Sequence, residues 1–180
     1  MMIRTFVSVD VPISDEMKEI LSELDCRKNV RVANADQIHL TLKFLGDTDE
    51  KNVSKLCQSL KTALSGQKSF DVIVEGMGGF PNECCPRIIW LGVKDPVRLK
   101  EIAGIVDGCV KDLKLDCDDK RFSPHITVGR VNGSADIRDL VRDCKGKVLC
   151  TFRCDRVNVM ESILYPKGAV HSLIESIPLD

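Results

Sequence analysis

The sequence predicts an α+β fold: a bilobal, pseudo-twofold duplication in which two antiparallel-rich sheets surround a central cleft and helices cover the outside. Three observations carry this expectation. Short stretches alternate polar and apolar residues with period two, as half-buried strands require, and segments between them repeat apolar residues at helical spacing. A His-x-Thr-x tetrad occurs twice, at His39-Leu40-Thr41-Leu42 and at His125-Ile126-Thr127-Val128, separated by close to half of the 180-residue chain. The intervals from Arg4 to His39 and from Arg87 to His125 are similar, and each holds a strand, a helix and a connector. The order strand, helix, His strand, helix, strand therefore occurs twice. Residues 1–180 are read as a single two-lobed domain with the seam of the repeat near 76–86.

Taken in order, Ile3, Thr5, Val7 and Val9 alternate with Arg4, Phe6, Ser8 and Asp10 in an opening strand that turns Phe6 toward a ligand. Pro12 closes it. Ser14 N-caps a helix with Asp15 and Glu16 in its first turn and Met17, Ile20, Leu21 and Leu24 as its apolar stripe. Residues 29–35 read as a connector. In the strand that follows, parity puts His39, Thr41 and Lys43 on one face and Leu40, Leu42 and Phe44 on the other, with Gly46-Asp47 ending it. The next helix buries Val53, Leu56, Cys57, Leu60 and Leu64 and stops before Gly66.

Phe70, Val72 and Val74 mark a strand that runs into a glycine-rich break from Gly76 to Pro81. Arg87 to Val93 reads as a strand buried on both faces. The longest apolar stripe follows, from Leu99 to Leu113, and a polar connector at 116–120 leads to the second His strand. A short helix with Ile137, Leu140, Val141 and Cys144 comes next. Strands from Val148 to Cys154 and from Arg156 to Met160, a turn at Tyr165-Pro166-Lys167-Gly168 and a strand from Ala169 to Ile177 complete the chain.

Charge and composition narrow the function. A formal net charge of −1 argues against coating nucleic acid through bulk electrostatics, although Lys43, Arg87, Lys120, Arg121, Arg130 and Lys167 fall near the His strands and can form a local positive pocket. No apolar run approaches the roughly 20 residues that cross a bilayer, so the expectation is a cytoplasmic protein with no membrane partner. The nine cysteines are odd in number and contain no C-x-x-C, so most are read as reduced core thiols. Cys84-Cys85 and the Cys150, Cys154 pair lack a histidine partner for a metal site.

Two imidazoles and two hydroxyls on facing strands suit displacement at phosphorus. The attacking oxygen must lose a proton and the leaving oxygen must gain one, and histidine serves in either state near neutral pH. Threonine hydroxyls can hold the non-bridging oxygens. With three histidines and no H-E-x-x-H, a zinc or di-metal hydrolase is poorly supported, and no G-x-S-x-G suggests a serine hydrolase. His171 has no threonine two residues on and is read as structural.

The residues Arg4-Thr5-Phe6-Val7, His39 to Gly46, Gly79-Phe80-Pro81, Arg87 to Val93, Pro124 to Arg130 and the tail Glu161-Ser162 to Gly168 together resemble the two-histidine (2H) phosphoesterase superfamily. Within it, the similarity is to the 2'-5' RNA ligase group, also described as RNA 2',3'-cyclic phosphodiesterases. That resemblance implies a bilobal α+β fold with a basic cleft and opening of an RNA terminal 2',3'-cyclic phosphate to a 2'-phosphate without metal or nucleotide cofactor. In some members it also implies reversible 2'-5' joining of RNA ends. It makes His39 the proton donor to the leaving oxygen and His125 the proton acceptor, with Thr41 and Thr127 on the phosphate. Arg130 and Lys43 would add charge, Arg130 on condition of a bulge at Gly129, because strand parity sets it opposite His125. Phe6 and Phe44 are either base-stacking surfaces or core. His171 departs from the aromatic residue of many relatives. The partners expected are RNA ends or nucleotides bearing a cyclic phosphate, met by a monomer. The competing reading is an RNA-end or nucleotide-binding module that keeps the cleft and lacks turnover.

Overall fold

The computed structural model describes residues 1–115, 117 and 120–180; most of the connector expected at 116–120 lies outside them. In chain order the elements are β1 (Met2–Asp10), α1 (Asp15–Asp25), β2 (Val30–Val32), a 3-10 turn (Ala35–Gln37), β3 (His39–Asp49), α2 (Glu50–Leu64), β4 (Phe70–Phe80), β5 (Ile88–Lys94), α3 (Val97–Asp112), β6 (Ile126–Val131), α4 (Arg138–Cys144), β7 (Val148–Cys154), β8 (Arg156–Tyr165) and β9 (Gly168–Pro178). Local chemistry explains the helices. The Ser14 hydroxyl accepts the Met17 N–H and Asp49 accepts the Lys51 N–H, so α1 and α2 each begin on a side-chain cap. The stripes expected for α2 and for α3 up to Val110 are buried.

The strands pair antiparallel in the order β7-β4-β5-β6-β3-β1-β8-β9, with β2 added beside β6. Two four-stranded antiparallel halves, β7-β4-β5-β6 and β3-β1-β8-β9, meet where β6 touches β3, and the Cα pair at that joint is Leu40 with Ile126. Helices α2 and α3 pack together beneath the β3 half, while α1 and α4 lie against β7, β2 and β4. Each half of the sheet thus takes elements from both halves of the chain. The opposite face of the joint carries the cleft.

Four local expectations change. Residues 76–80 are strand, not a break: β4 continues through a bulge between Val74 and Met77 to Phe80. Gly78 is needed there for space, since a Cβ would sit 2.3 Å from Cζ2 of Trp90. β5 is buried on one face only, with Ile89 and Leu91 inside and Ile88 and Trp90 half-buried. β3 runs past Gly46, whose φ of +71° accommodates a bulge beside Leu45, and ends at Asp49. The connector at 29–35 contains β2, too short to announce itself by periodicity. Among the cysteines, Cys57, Cys109, Cys144 and Cys154 are buried as core thiols, while Cys26, Cys84 and Cys85 are exposed.

Candidate active site

Both His-x-Thr-x tetrads carry a bulge at the same place. In β3 the partners of Val7 and Ser8 are Lys43 and Thr41, so Leu42 is the extra residue. In β6 the partners of Ile89 and Trp90 are Gly129 and Thr127, so Val128 is the extra residue. Both extra residues are apolar and buried, which anchors each bulge in the core. The consequence is a reversal of parity past the tetrad. His39, Thr41 and Phe44 come to one side of β3, and Thr127 and Arg130 to the corresponding side of β6, all lining one cleft.

This corrects the assignment of Lys43. Its side chain is turned away from His39 and Thr41, is 8% exposed, and its Nζ lies 2.8 Å from Oδ1 of Asp107 on α3. Phe44, expected inside, is 39% exposed under the Arg4 guanidinium, 4.6 Å from its ring centre. For Arg130 the bulge that brings it into the cleft is at Val128 and not Gly129.

The Leu40–Ile126 pair sets the two tetrads against each other. In antiparallel register it places His39 opposite Thr127 and Thr41 opposite His125. The imidazoles then occupy diagonal positions, which in an antiparallel pair lie roughly 7–8 Å apart at the backbone. The two rings are held alike. His39 Nδ1 is 2.8 Å from the Gln37 carbonyl and His125 Nδ1 is 2.7 Å from the Ser123 carbonyl. A carbonyl only accepts, so each Nδ1 carries a proton and each Nε2 is left for chemistry. His39 Nε2 lies 3.1 Å from the Thr41 hydroxyl. Phe80 meets the edge of His125 at 5.4 Å between ring centres.

Electrostatically, burial holds the His39 pKa below the ordinary imidazole value, against weaker upward pulls from the Gln37 carbonyl and the charge of Asp10. Phe6 is 3% exposed and packs on His39 with ring centres 4.7 Å apart, so it forms the floor of the site. His171 belongs to the same cluster. Its ring meets His39 edge to face at 5.1 Å, and burial, followed by the neighbouring His39, pushes its pKa down to about 4. Its backbone N–H donates to Oε1 of Gln37, the residue whose carbonyl holds His39.

The cleft encloses about 430 Å³, and Arg4, Arg31, Arg130 and Lys167 contribute the cations around it. Among the basic residues singled out from sequence, Arg130 and Lys167 reach it. Arg4, Arg31, Gln37 and His171 were not legible as site residues, because β1, β2, the 3-10 turn and β9 converge only in three dimensions. No group of three metal-ligating side chains occurs among the described residues. No described helix is long and apolar enough to cross a membrane.

Residues 7–90 match the family described as LigT like Phosphoesterase. An Archaeoglobus fulgidus protein named RNA 2',3'-cyclic phosphodiesterase is 33% identical over 171 residues, covering 93% of this chain and 96% of its own. A Thermotoga maritima protein of the same name is 31% identical over 177 residues, covering 95% and 92%. Among solved structures, E. coli LigT complexed with 3'-AMP superimposes with a TM-score of 0.79 at 21% identity over 99% of both chains. The Thermus thermophilus protein TT0787 gives a TM-score of 0.78 at 24% identity, over 98% of this chain and 97% of its own.

Proposed function

The chain belongs to the LigT-like phosphoesterase family and is a phosphodiesterase of that family, and from this premise we propose that it opens RNA terminal 2',3'-cyclic phosphates to 2'-phosphates with His39 and His125 as its proton-transfer pair. The observation that carries the proposal is the matched geometry of the two tetrads: same bulge, same Nδ1 anchor, opposed register.

In this reading a cyclic phosphate seated across the joint lies between His39 Nε2, which lines the cleft, and His125 Nε2, from the residue just ahead of β6. Water attacks phosphorus while His125 takes its proton, the bond from phosphorus to the 3' oxygen breaks, and protonated His39 delivers its proton to that oxygen. The products are a 2'-phosphate and a 3'-hydroxyl. Thr41 and Thr127 donate hydrogen bonds to the non-bridging oxygens, and Arg130 balances the charge that develops on them. Proton transfer of this kind contributes about 10²–10⁴-fold per group. If a 5'-hydroxyl attacks in place of water, the same bond breaks and a 2'-5' linkage forms, so one site supports hydrolysis and reversible ligation.

The test is turnover of an RNA ending in 2',3'-cyclic phosphate. His39→Ala and His125→Ala should each lose turnover while remaining folded. A substrate with sulfur at the bridging 3' position, whose thiolate leaves without a proton, should restore His39→Ala and not His125→Ala. Unchanged turnover in both variants refutes the mechanism. A wild-type protein that protects the cyclic end without converting it would be a binding module instead.

A further inference from the structure

We infer, resting on the hydrolytic reading above, that Gln37 is a positioning residue for the acid step: its side chain ties β9 to the turn that aims the His39 ring at the leaving oxygen. The two tetrads, otherwise matched, differ here. Both imidazoles donate Nδ1–H to the carbonyl of the residue two positions earlier, Gln37 for His39 and Ser123 for His125. Gln37 also uses its side chain, whose Oε1 accepts the backbone N–H of His171 at 2.5 Å. Ser123 is exposed, and its hydroxyl makes no corresponding bond among the described residues.

That bond joins parts of the sheet that no strand pairing connects. β9 ends the strand order, with β8 on one side and no described strand on the other, and the His171 N–H donates across the open side to Gln37. The amide oxygen thus supplies the acceptor that a neighbouring strand would have given. Little else holds either partner in place. Asn34, Ala35 and Asp36 are exposed, and the turn is fixed at its ends, by the Ala33 N–H on the Val128 carbonyl at 2.9 Å and by the buried Ile38. Ile163, Leu164, Tyr165 and Val170, at the far end of the β8–β9 hairpin, all stand outside the core.

The His39 ring is consequently held on three sides. The Gln37 carbonyl fixes Nδ1, Phe6 lies against the ring at 4.7 Å with the planes 30° apart, and His171 meets it at 5.1 Å with the planes 89° apart. His171 in turn rests on Phe6 at 4.9 Å. The support from β9 is the one that an open edge can lose, and the Gln37 side chain retains it beside His39. A ring held in this way keeps Nε2 in one direction, and proton delivery to a leaving oxygen depends steeply on that alignment. Glutamine suits the position because it accepts a hydrogen bond without setting a negative charge against an anionic substrate.

The experiment measures kcat and KM of Gln37→Met and Gln37→Glu on two forms of a cyclic-phosphate RNA end, one with the natural bridging 3' oxygen and one with sulfur in its place. Methionine keeps the length of the side chain and removes the acceptor, whereas glutamate keeps an acceptor. Gln37→Met should lower kcat on the oxygen substrate by about tenfold or more while KM stays within about threefold. The loss should vanish on the sulfur substrate, whose thiolate leaves without a proton. Gln37→Glu should retain kcat, with repulsion of the anionic substrate read in KM. Equal loss of kcat on both substrates, or no loss on either, overturns the inference while leaving the hydrolytic reading intact. Proton NMR of the ligand-free protein decides the matter independently of turnover. The His39 Nδ1–H should exchange with water about tenfold or more faster in Gln37→Met than in wild type, with that of His125 unchanged. Equal exchange at His39 in the two proteins refutes the positioning role.

Discussion

Leu40 and Ile126 face each other across β3 and β6, both fully buried, at the Cα pair that joins the two halves of the sheet. Each is flanked by the histidine and threonine of its own tetrad, so one apolar contact holds the register of four polar side chains. Ile126→Ala should cost about 2–5 kcal/mol, as buried large-to-small changes do. It should also reduce turnover per folded molecule more than Leu99→Ala, which removes a similar side chain from α3, away from the joint. Urea unfolding and active-site turnover on the same samples check both expectations.

The pH profile of kcat/KM should reflect the burial of His39. Its pKa is held below the ordinary imidazole value, so the acid limb should lie below pH 6.5. The limbs belong to the His39–His125 pair and do not by themselves say which ring is donor. Asp10 raises the His39 pKa through its charge, and it pairs with His39 across β1 and β3. Removing that charge in Asp10→Asn should move the acid limb further down. A limb that moves up, or does not move, contradicts the electrostatics described.

His171 should make the fold sensitive to acid. Its pKa falls from 6.5 to about 4 on folding, so between these values the unfolded chain binds a proton that the folded chain does not. Stability is therefore lost as pH falls from about 6.5 toward 4. Solvent screening at this half-open site keeps the contribution on the order of 1 kcal/mol. Melting curves over that range should show a smaller decline in His171→Phe, which keeps the ring packing on Phe6 and His39 and removes the titration.

Lys43 offers a sharp contrast between parity and structure. Because it points to Asp107 and away from the cleft, Lys43→Met should leave kcat/KM within about threefold of wild type, where loss of a phosphate contact would cost about tenfold or more. Asp107→Asn should be the more damaging change to stability, by about 1–3 kcal/mol, since it strands a buried cation. Thermal unfolding and steady-state kinetics separate the two effects.

Gly78 and Trp90 connect packing to the site. An alanine methyl at 78 would stand 2.3 Å from the indole, so Gly78→Ala must displace a ring that packs on Phe80, which in turn abuts His125. Destabilisation of about 1–3 kcal/mol is expected from overpacking. As the chain has one tryptophan, its fluorescence reports the displacement directly, and turnover should fall with it.

Much of this protein is written in short-range pattern. The helical spacing in Val53 to Leu64 and in Leu99 to Val110 and the cap at Ser14 each depend on neighbours a few residues away, and all appear in the structure; β1 and β9 form as strands, but β1 is buried on both faces from Thr5 to Val9 because β3 and β8 flank it. The paired His-x-Thr-x tetrads are equally local. What the sequence could not decide was everything set by a strand's partner. The bulges at Leu42 and Val128 exist because β3 and β6 hold one more residue there than β1 and β5 do, and no feature of either tetrad alone reveals the count of its neighbour. That extra residue turns Lys43 into the core and brings Phe44 and Arg130 to the cleft. Likewise Arg4, Arg31, Lys167 and His171 come from four separate elements, and only the pairing and curling of one open sheet sets their charges and rings around the same space. Chemical identity was local; which face a side chain shows, and what stands opposite it, is a property of pairing between distant strands.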